Sequence, residues 1–283
     1  MNLLIVGGGK GGSWQIRGVQ MGAALGARVT VAPTRDDARW ADRIIVVKRA
    51  LAAWGAQLRA YSSAPLIWDA VDFWAQPAQN HLTRDEAVAV ARAYMRPYAP
   101  DLVIGATWAM AEALGGVCVP HHARPGLVAQ PVRETVQMVA YEGAPVYLGR
   151  WQGVLERLCA ARGWAFAVNP PRLTDADILV ALRDGQWDGW MCRQWKSGVK
   201  VVNAIAAGRP IISQAMAAQA EIQPPGSVIA TEAEIDEALT YWADAGRRRD
   251  VAAWSQDVGA APWRLEAIAA RYREMLEGVA CRA

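Results

Sequence analysis

The chain has 283 residues, 53% hydrophobic and 20% charged, enough apolar material for two ordinary domains and too much for a disordered polypeptide. Its 30 basic and 27 acidic side chains leave a formal charge of +3, too mild to announce a nucleic-acid binder, although a local basic cleft is compatible with it. Four cysteines without CxxC pairing or metal-ligand spacing argue against structural zinc. With no leader before the first strand and no apolar run of ~18–20 residues, the expectation is a soluble cytoplasmic protein with free thiols and no membrane partner.

"LLIVGGG" (Leu3 to Gly9) reads as a buried parallel strand running into a glycine loop. "SWQIRGVQMGAALGA" follows as a helix, with Ser13 as N-cap and Ile16, Val19, Ala23 and Leu25 as its apolar side. Strands are then expected at "RVTVA", at Asp42 to Lys48, at "PLIWDAV" and at Pro100 to Thr107. The helix "WAMAEALG" and the strand "GVCVP" complete this half. The Pro- and Gly-bearing stretch His121 to Glu134 is the candidate linker. Beyond it, strands are expected at "QMVAYEG", "WAFAVN", Ala176 to Arg183, "RPIIS" and "SVIAT". Helices fall in "VYLGRWQGVLERLCAARG", from about Ser197 to Ala207, in "EAEIDEALTYWADA" and from Ala261 to Val279. Strand–helix alternation in both halves predicts two Rossmann-like units with parallel sheets.

"GGGKGG" matches G-x-G-x-x-G through Gly7, Gly9 and Gly12, but a dinucleotide site puts an acid at the end of the second strand. Here the first acid is Asp36, several residues later, which speaks against NAD. The remaining content is a turn whose N–H groups, near Gly11 and Gly12, can approach an anion. "WKSGVKVVNAIAAGRPIIS" carries more. At ~100° per residue, Lys196, Lys200 and Asn203 share one stripe, and Val199, Val202 and Ala206 form another, expected to face the sheet. Two lysines at a helix start oppose its dipole, at roughly 0.3–1 kcal/mol each. A bound diphosphate reverses that sign.

This segment resembles the donor site of GT-B-fold glycosyltransferases, whose pattern is a helix ending in A-x-A-x-G-x-P-V-I. The resemblance implies an α/β GT-B fold: two Rossmann-like domains facing across a cleft, with a C-terminal helix returning to the first. Residues 1–128 would form the acceptor-side domain, 129–258 the nucleotide-sugar domain and 259–283 the returning helix. It implies diphosphate binding by Arg183, Lys196, Ser197, Lys200, Gly11, Gly12 and Gly143, and ribose binding by Asn203. Many members carry glutamate at the position of Asn203 and another acid eight residues earlier, where this chain has Trp195. A narrower resemblance joins Asp42–Gln57 and Pro65–Gln76 to bacteriophage DNA β-glucosyltransferases. It implies Asp69 as the base and Gln76 on the acceptor side, where Arg17, Lys48 and Arg49, basic side chains of the N-terminal half, would suit a phosphate backbone.

On chemistry alone, a carboxylate at the C-terminal end of a parallel strand lies where such sheets place ligands, so Asp69 and Asp72 are both candidate bases. Spacing does not separate them. The histidines His121 and His122 are candidates for a phosphate contact, a base or a hinge. The Trp-rich loop "DGQWDGWMCRQWKSG" either stacks on a base or sugar or packs against the sheet. The expected activity is glycosyl transfer from a nucleotide sugar, a UDP-sugar such as UDP-glucose, without a metal or bound cofactor. The acceptor hydroxyl is that of a hydroxymethylated pyrimidine in double-stranded phage DNA, or of a small molecule, lipid or glycan. The competing expectation is a non-catalytic or epimerase-type nucleotide-sugar binder.

Overall fold

The structure, a computed structural model, describes residues 1–48, 52–72 and 81–279. β1 (Leu3–Gly7) is apolar and buried along its whole length, as a strand covered on both faces must be. A glycine turn leads into α1 (Gly11–Trp14), which widens into a π-helical stretch (Gln15–Gln20) and continues as α2 (Met21–Leu25). The half is completed by β2 (Arg28–Thr30), α3 (Arg35–Trp40), β3 (Arg43–Val47), α4 (Ala52–Tyr61), β4 (Leu66–Val71), α5 (Arg84–Met95), β5 (Leu102–Gly105), α6 (Trp108–Leu114) and β6 (Val117–Cys118). Its strands are parallel, in the order β2-β1-β3-β4-β5-β6. Helices α3 and α5 start in capping boxes, Thr34 with Asp37 and Thr83 with Glu86. That signal stands in the sequence three residues apart.

Residues 119–137 cross to the second half without helix or strand. There follow β7 (Met138–Tyr141), α7 (Arg150–Ala160), β8 (Ala165–Val168), β9 (Ile178–Ala181), α8 (Trp190–Trp195), α9 (Val199–Ala207), β10 (Ile211–Gln214), α10 (Ala217–Ile222), β11 (Gly226–Ile229), α11 (Glu232–Trp242), α12 (Ala245–Trp254) and α13 (Leu265–Gly278). The second sheet is also parallel, ordered β11-β10-β9-β7-β8. Every strand expected from the sequence is present. Helix α13 returns to the first sheet, where Ile268, Ala269, Tyr272 and Leu276 pack on Leu3, Ile5, Val71 and Ile104. Burying Ile268 and Leu276 stabilises that return by roughly 1.5–3 kcal/mol apiece.

Three local expectations are corrected. Ser13 does not cap the first helix, which begins two residues earlier, with Lys10 in the cap position. The buried face of that helix is Arg17, Gly18, Met21 and Gly22, while Val19 and Ala23 are exposed. Packing explains the inversion: a Cβ at Gly22 would lie 2.3 Å from Val29 Cγ2, so glycines bring this face against the sheet. On α9, Val201, Ala204 and Ile205 face the sheet, whereas Val202 and Ala206 pack on Ala123 of the crossing segment.

Candidate active site

The carboxyl ends of the two sheets face each other across a cleft of about 540 Å³. Its first wall is the glycine turn, Lys48, Asp72 and His121; its second is Glu142, Gly143, Tyr147, Arg183, Lys196, Ser197 and Lys200. In open α/β sheets this end is where ligands bind, because loops and helix N-termini converge there.

The second wall is cationic. Helix α9 starts with no side-chain cap and no acid in its first turn, so its free N–H groups and positive dipole end are uncompensated. Gly198 sits at its cap, where a Cβ would lie 2.4 Å from Ile222 Cδ1, so any larger residue would push the Ile222 side chain of α10 aside. Lys196 precedes the helix and Lys200 lies in its first turn. The Lys200 ammonium is 3.7 Å from the centre of the Tyr141 ring, and the Arg183 guanidinium is 4.8 Å from that of Tyr147. Neither Lys200 nor Arg183 is ion-paired to a carboxylate among the described residues. Burial, then the charges of Arg183 and Lys196, holds the Lys200 ammonium well below the ordinary lysine range. Gly143 completes this wall with φ 140°, and a Cβ on it would meet Tyr141 Oη at 3.0 Å and Lys200 Nζ at 3.1 Å.

The first wall is set by the end of β4. Strand register shifts between Asp69 and Val71, and Val71, a β-branched residue, is held at φ 60°. This bend carries Asp72 beyond the strand into the cleft. Its Oδ1 lies 2.5 Å from Lys48 Nζ and its Oδ2 accepts from Lys196 Nζ, so one carboxylate ties the two walls together. Burial alone would raise the Asp72 pKa, but Lys196 and Lys48 outweigh it and hold the carboxyl well below the usual range. His121, 3% exposed, also opens on the cleft, and neither ring nitrogen has a hydrogen-bond partner among the described residues. Burial, reinforced by Arg17, keeps its pKa well below the ordinary histidine value, so the ring is neutral. Its neighbour His122 is committed to the backbone, with Nδ1 2.7 Å from Ala123 O.

Of the residues singled out in the sequence, Gly11, Gly12, Lys48, Asp72, Gly143, Arg183, Lys196, Ser197 and Lys200 line this cleft. Asp69, Arg17 and Asn203 do not. Asp69 is buried on the face of the sheet covered by α13, where its carboxylate accepts from Tyr272 Oη and lies 3.7 Å from Arg17 Nε. Arg17 also donates to Tyr272 Oη at 2.8 Å and to Val119 O. This buried cluster fastens α13 and the π-helical stretch to β4. The Asn203 side chain lies behind the second wall, 2% exposed, with Oδ1 accepting Arg124 N–H and Nδ2 donating to Glu142, both at 2.8 Å. Arg49 and Gln76 lie outside the described residues. Trp190 and Trp195 pack edge to face, 5.5 Å apart, in the core beneath the first sheet with Trp68 and Tyr98. Trp187 sits edge-on to Tyr147 at 4.8 Å. Among the described residues no three His, Cys, Asp or Glu side chains converge to hold a metal ion.

Sequence reasoning left Glu142 without a role and did not separate His121 from its neighbour. The available signal for Glu142 was its place directly after an apolar strand, the same logic that raised Asp69 and Asp72. For His121 there was none: which of two adjacent histidines turns inward is decided by the crossing segment's path.

No protein-family model and no curated protein sequence matches the chain. Solved structures do match in shape. The Anabaena protein Alr3699/HepE, solved in complex with UDP and glucose, matches with a TM-score of 0.68 at 14% identity, over 98% of this chain and 100% of that one. AviGT4, a glycosyltransferase involved in avilamycin A biosynthesis, matches at 0.60 and 12% identity, over 99% and 98%. The catalytic domain of starch synthase IV from Arabidopsis thaliana, bound to ADP and acarbose, matches at 0.54 and 9%, over 83% and 72%. At such identities the likeness establishes the fold. The chain has the two-sheet α/β GT-B architecture that these solved structures share.

Proposed function

We propose that this protein is a glycosyltransferase that moves a sugar from a nucleoside diphosphate sugar, a UDP-sugar first, to an acceptor hydroxyl. The observation that carries the reading is the cation set of the second wall. Arg183 and Lys200, without a carboxylate partner among the described residues, share a cleft with Lys196, Ser197 and the uncapped start of α9. A diphosphate satisfies all of these at once. In the transfer these groups stabilise the charge that builds on the leaving diphosphate, the electrostatic contribution that dominates such reactions. UDP is the first choice because HepE, of the same fold, was solved with it. Residues 1–128 would supply the acceptor side, with Lys48 facing the incoming hydroxyl and the turn N–H groups near Gly11 and Gly12 facing the diphosphate across the cleft, and residues 129–258 the donor side.

For the proton of that hydroxyl, His121 is the freer acceptor, since its ring nitrogens have no partner among the described residues while each oxygen of Asp72 is engaged by a lysine. Asp72 stabilises the imidazolium that forms and gives up Lys196 to the diphosphate. Asp69, bonded to Tyr272 and Arg17, serves the fold in this reading. Support for a DNA acceptor is confined to the local sequence resemblance, part of which rests on Arg49, Gln76 and the buried Asp69.

The test is nucleoside diphosphate release from UDP-, GDP- and ADP-sugars, each alone, with glycan and small-molecule acceptors, and with duplex DNA with and without hydroxymethylated pyrimidines. Acceptor-dependent release that is lost in His121→Ala and kept in a folded Asp69→Asn supports the reading. Turnover of donor alone to its epimer, or no nucleotide binding at all, overturns it.

A further inference from the structure

The second wall treats its cations unequally. Lys200 and Arg183 have no ion-paired carboxylate among the described residues, while Lys196, at the head of the same helix, is already engaged by Asp72. That acid comes from the other wall of the cleft and is seated firmly there. Its side chain is 7% exposed, its Oδ1 lies 2.5 Å from Lys48 Nζ, and its Oδ2 accepts from Lys196. The backbone on both sides is strained to put it there. Lys48 and Val71, at the ends of the neighbouring strands β3 and β4, are held at φ 51° and φ 60°, which non-glycine residues seldom adopt. Lys48 is fixed further by the Trp68 indole, which donates to its carbonyl at 3.0 Å, and by Ser13 Oγ, 3.3 Å from its ammonium. Strain of this kind persists where a position is put to use. The use on offer is to hold a negative charge against Lys196, at the mouth of a site built for phosphates.

We propose that Asp72 is an internal competitor of the donor diphosphate: in the free protein its carboxylate takes the Lys196 ammonium that a phosphate takes in the complex, and binding exchanges one anion for the other. The inference rests on the donor reading above. Without a ligand, the carboxylate keeps Lys196 paired beside Arg183 and Lys200, in a cleft where an uncompensated charge is costly. The same contact makes the site selective, because a ligand that brings no anion to Lys196 leaves the pair closed. Once Lys196 has passed to the diphosphate, Asp72 keeps Lys48, and its Oδ2 becomes a free hydrogen-bond acceptor on the first wall.

Removing the competitor should therefore tighten donor binding, and only while Lys196 is present. UDP, GDP and ADP are titrated by calorimetry into wild type, Asp72→Asn, Lys196→Met and the double variant, with ligand-observed NMR where binding is too weak for heat. The nucleotide that binds should bind Asp72→Asn about tenfold to hundredfold more tightly than wild type, the range of a hydrogen bond to a charged group. In the Lys196→Met background the same change should gain about threefold at most, because only screened repulsion through space remains. An equal gain in both backgrounds reduces Asp72 to a nearby charge and overturns the exchange. So does an Asp72→Asn protein that binds no more tightly than wild type, or an Asp72→Ala protein if the amide variant does not melt cooperatively. Both outcomes leave the donor reading intact. If neither wild type nor the Asp72 variant binds any of the nucleotides, the donor reading falls, and this inference with it.

Discussion

Replacing Lys200 by methionine tests the cation wall from two opposite directions. In the free protein Lys200 is a half-buried ammonium with no carboxylate ion pair among the described residues, with Arg183 and Lys196 as like-charged neighbours and Glu142 as a weaker opposite charge. Removing a charge of this kind relieves a desolvation penalty of several kcal/mol, while the lost contact with the Tyr141 ring, 3.7 Å away, takes back about 0.5–2 kcal/mol. Methionine fills the same volume, so the net expectation for Lys200→Met is a gain of about 1–2 kcal/mol, seen as a rise in Tm of a few degrees. Nucleotide binding moves the other way. A charge-assisted hydrogen bond to phosphate contributes roughly 1.5–3 kcal/mol, so the Kd for UDP should weaken by about 10- to 150-fold. Differential scanning fluorimetry and calorimetry on one preparation read both effects. A fall in Tm marks Lys200 as structural, and a UDP affinity unchanged within about threefold removes it from the diphosphate site. Either result refutes the argument.

Three further expectations follow from the same geometry. Tyr272→Phe deprives the buried Asp69 and Arg17 of their shared hydroxyl and should cost about 1–3 kcal/mol in urea unfolding while kcat/KM holds within about twofold; a large rate loss without destabilisation would return Asp69 to the chemistry. Gly143→Ala forces a Cβ into a φ of 140° and to 3.1 Å from Lys200 Nζ, so donor binding should weaken about tenfold or more, read by the same calorimetry. Finally, the Lys200 pKa is lowered in the free protein and an anion raises it again, so binding should take up protons. UDP affinity should therefore fall as pH rises above the lowered Lys200 pKa of the free protein toward the ordinary lysine value of ~10.4. Titrations in two buffers of different ionisation enthalpy measure the uptake, which should shrink in Lys200→Met.

Local chemistry made much of this molecule legible in advance. Short apolar runs alternating with helical stretches are sufficient for parallel sheets, because strand burial and crossover handedness leave few other arrangements. The strands from Leu3 to Ile229 accordingly fall where the pattern puts them. That the residues at the start of α9 would share one cleft was equally readable, since a lysine pair against a helix dipole is a local anomaly that singles the segment out. What the sequence did not contain was direction. Asp69 and Asp72 are both carboxylates near the end of one strand, and only the bend at Val71 turns one into the cleft and leaves the other against Tyr272, a residue 203 positions away. Asn203 lies on a polar stripe in projection, yet its amide is consumed by Arg124 and Glu142 from the crossing segment and the second sheet. Periodicity reports which residues share a face of their own element. Which face meets the ligand depends on how the two sheets are set against each other, and that is decided by long-range packing of α8, α13 and the crossing segment, which no short window of sequence encodes.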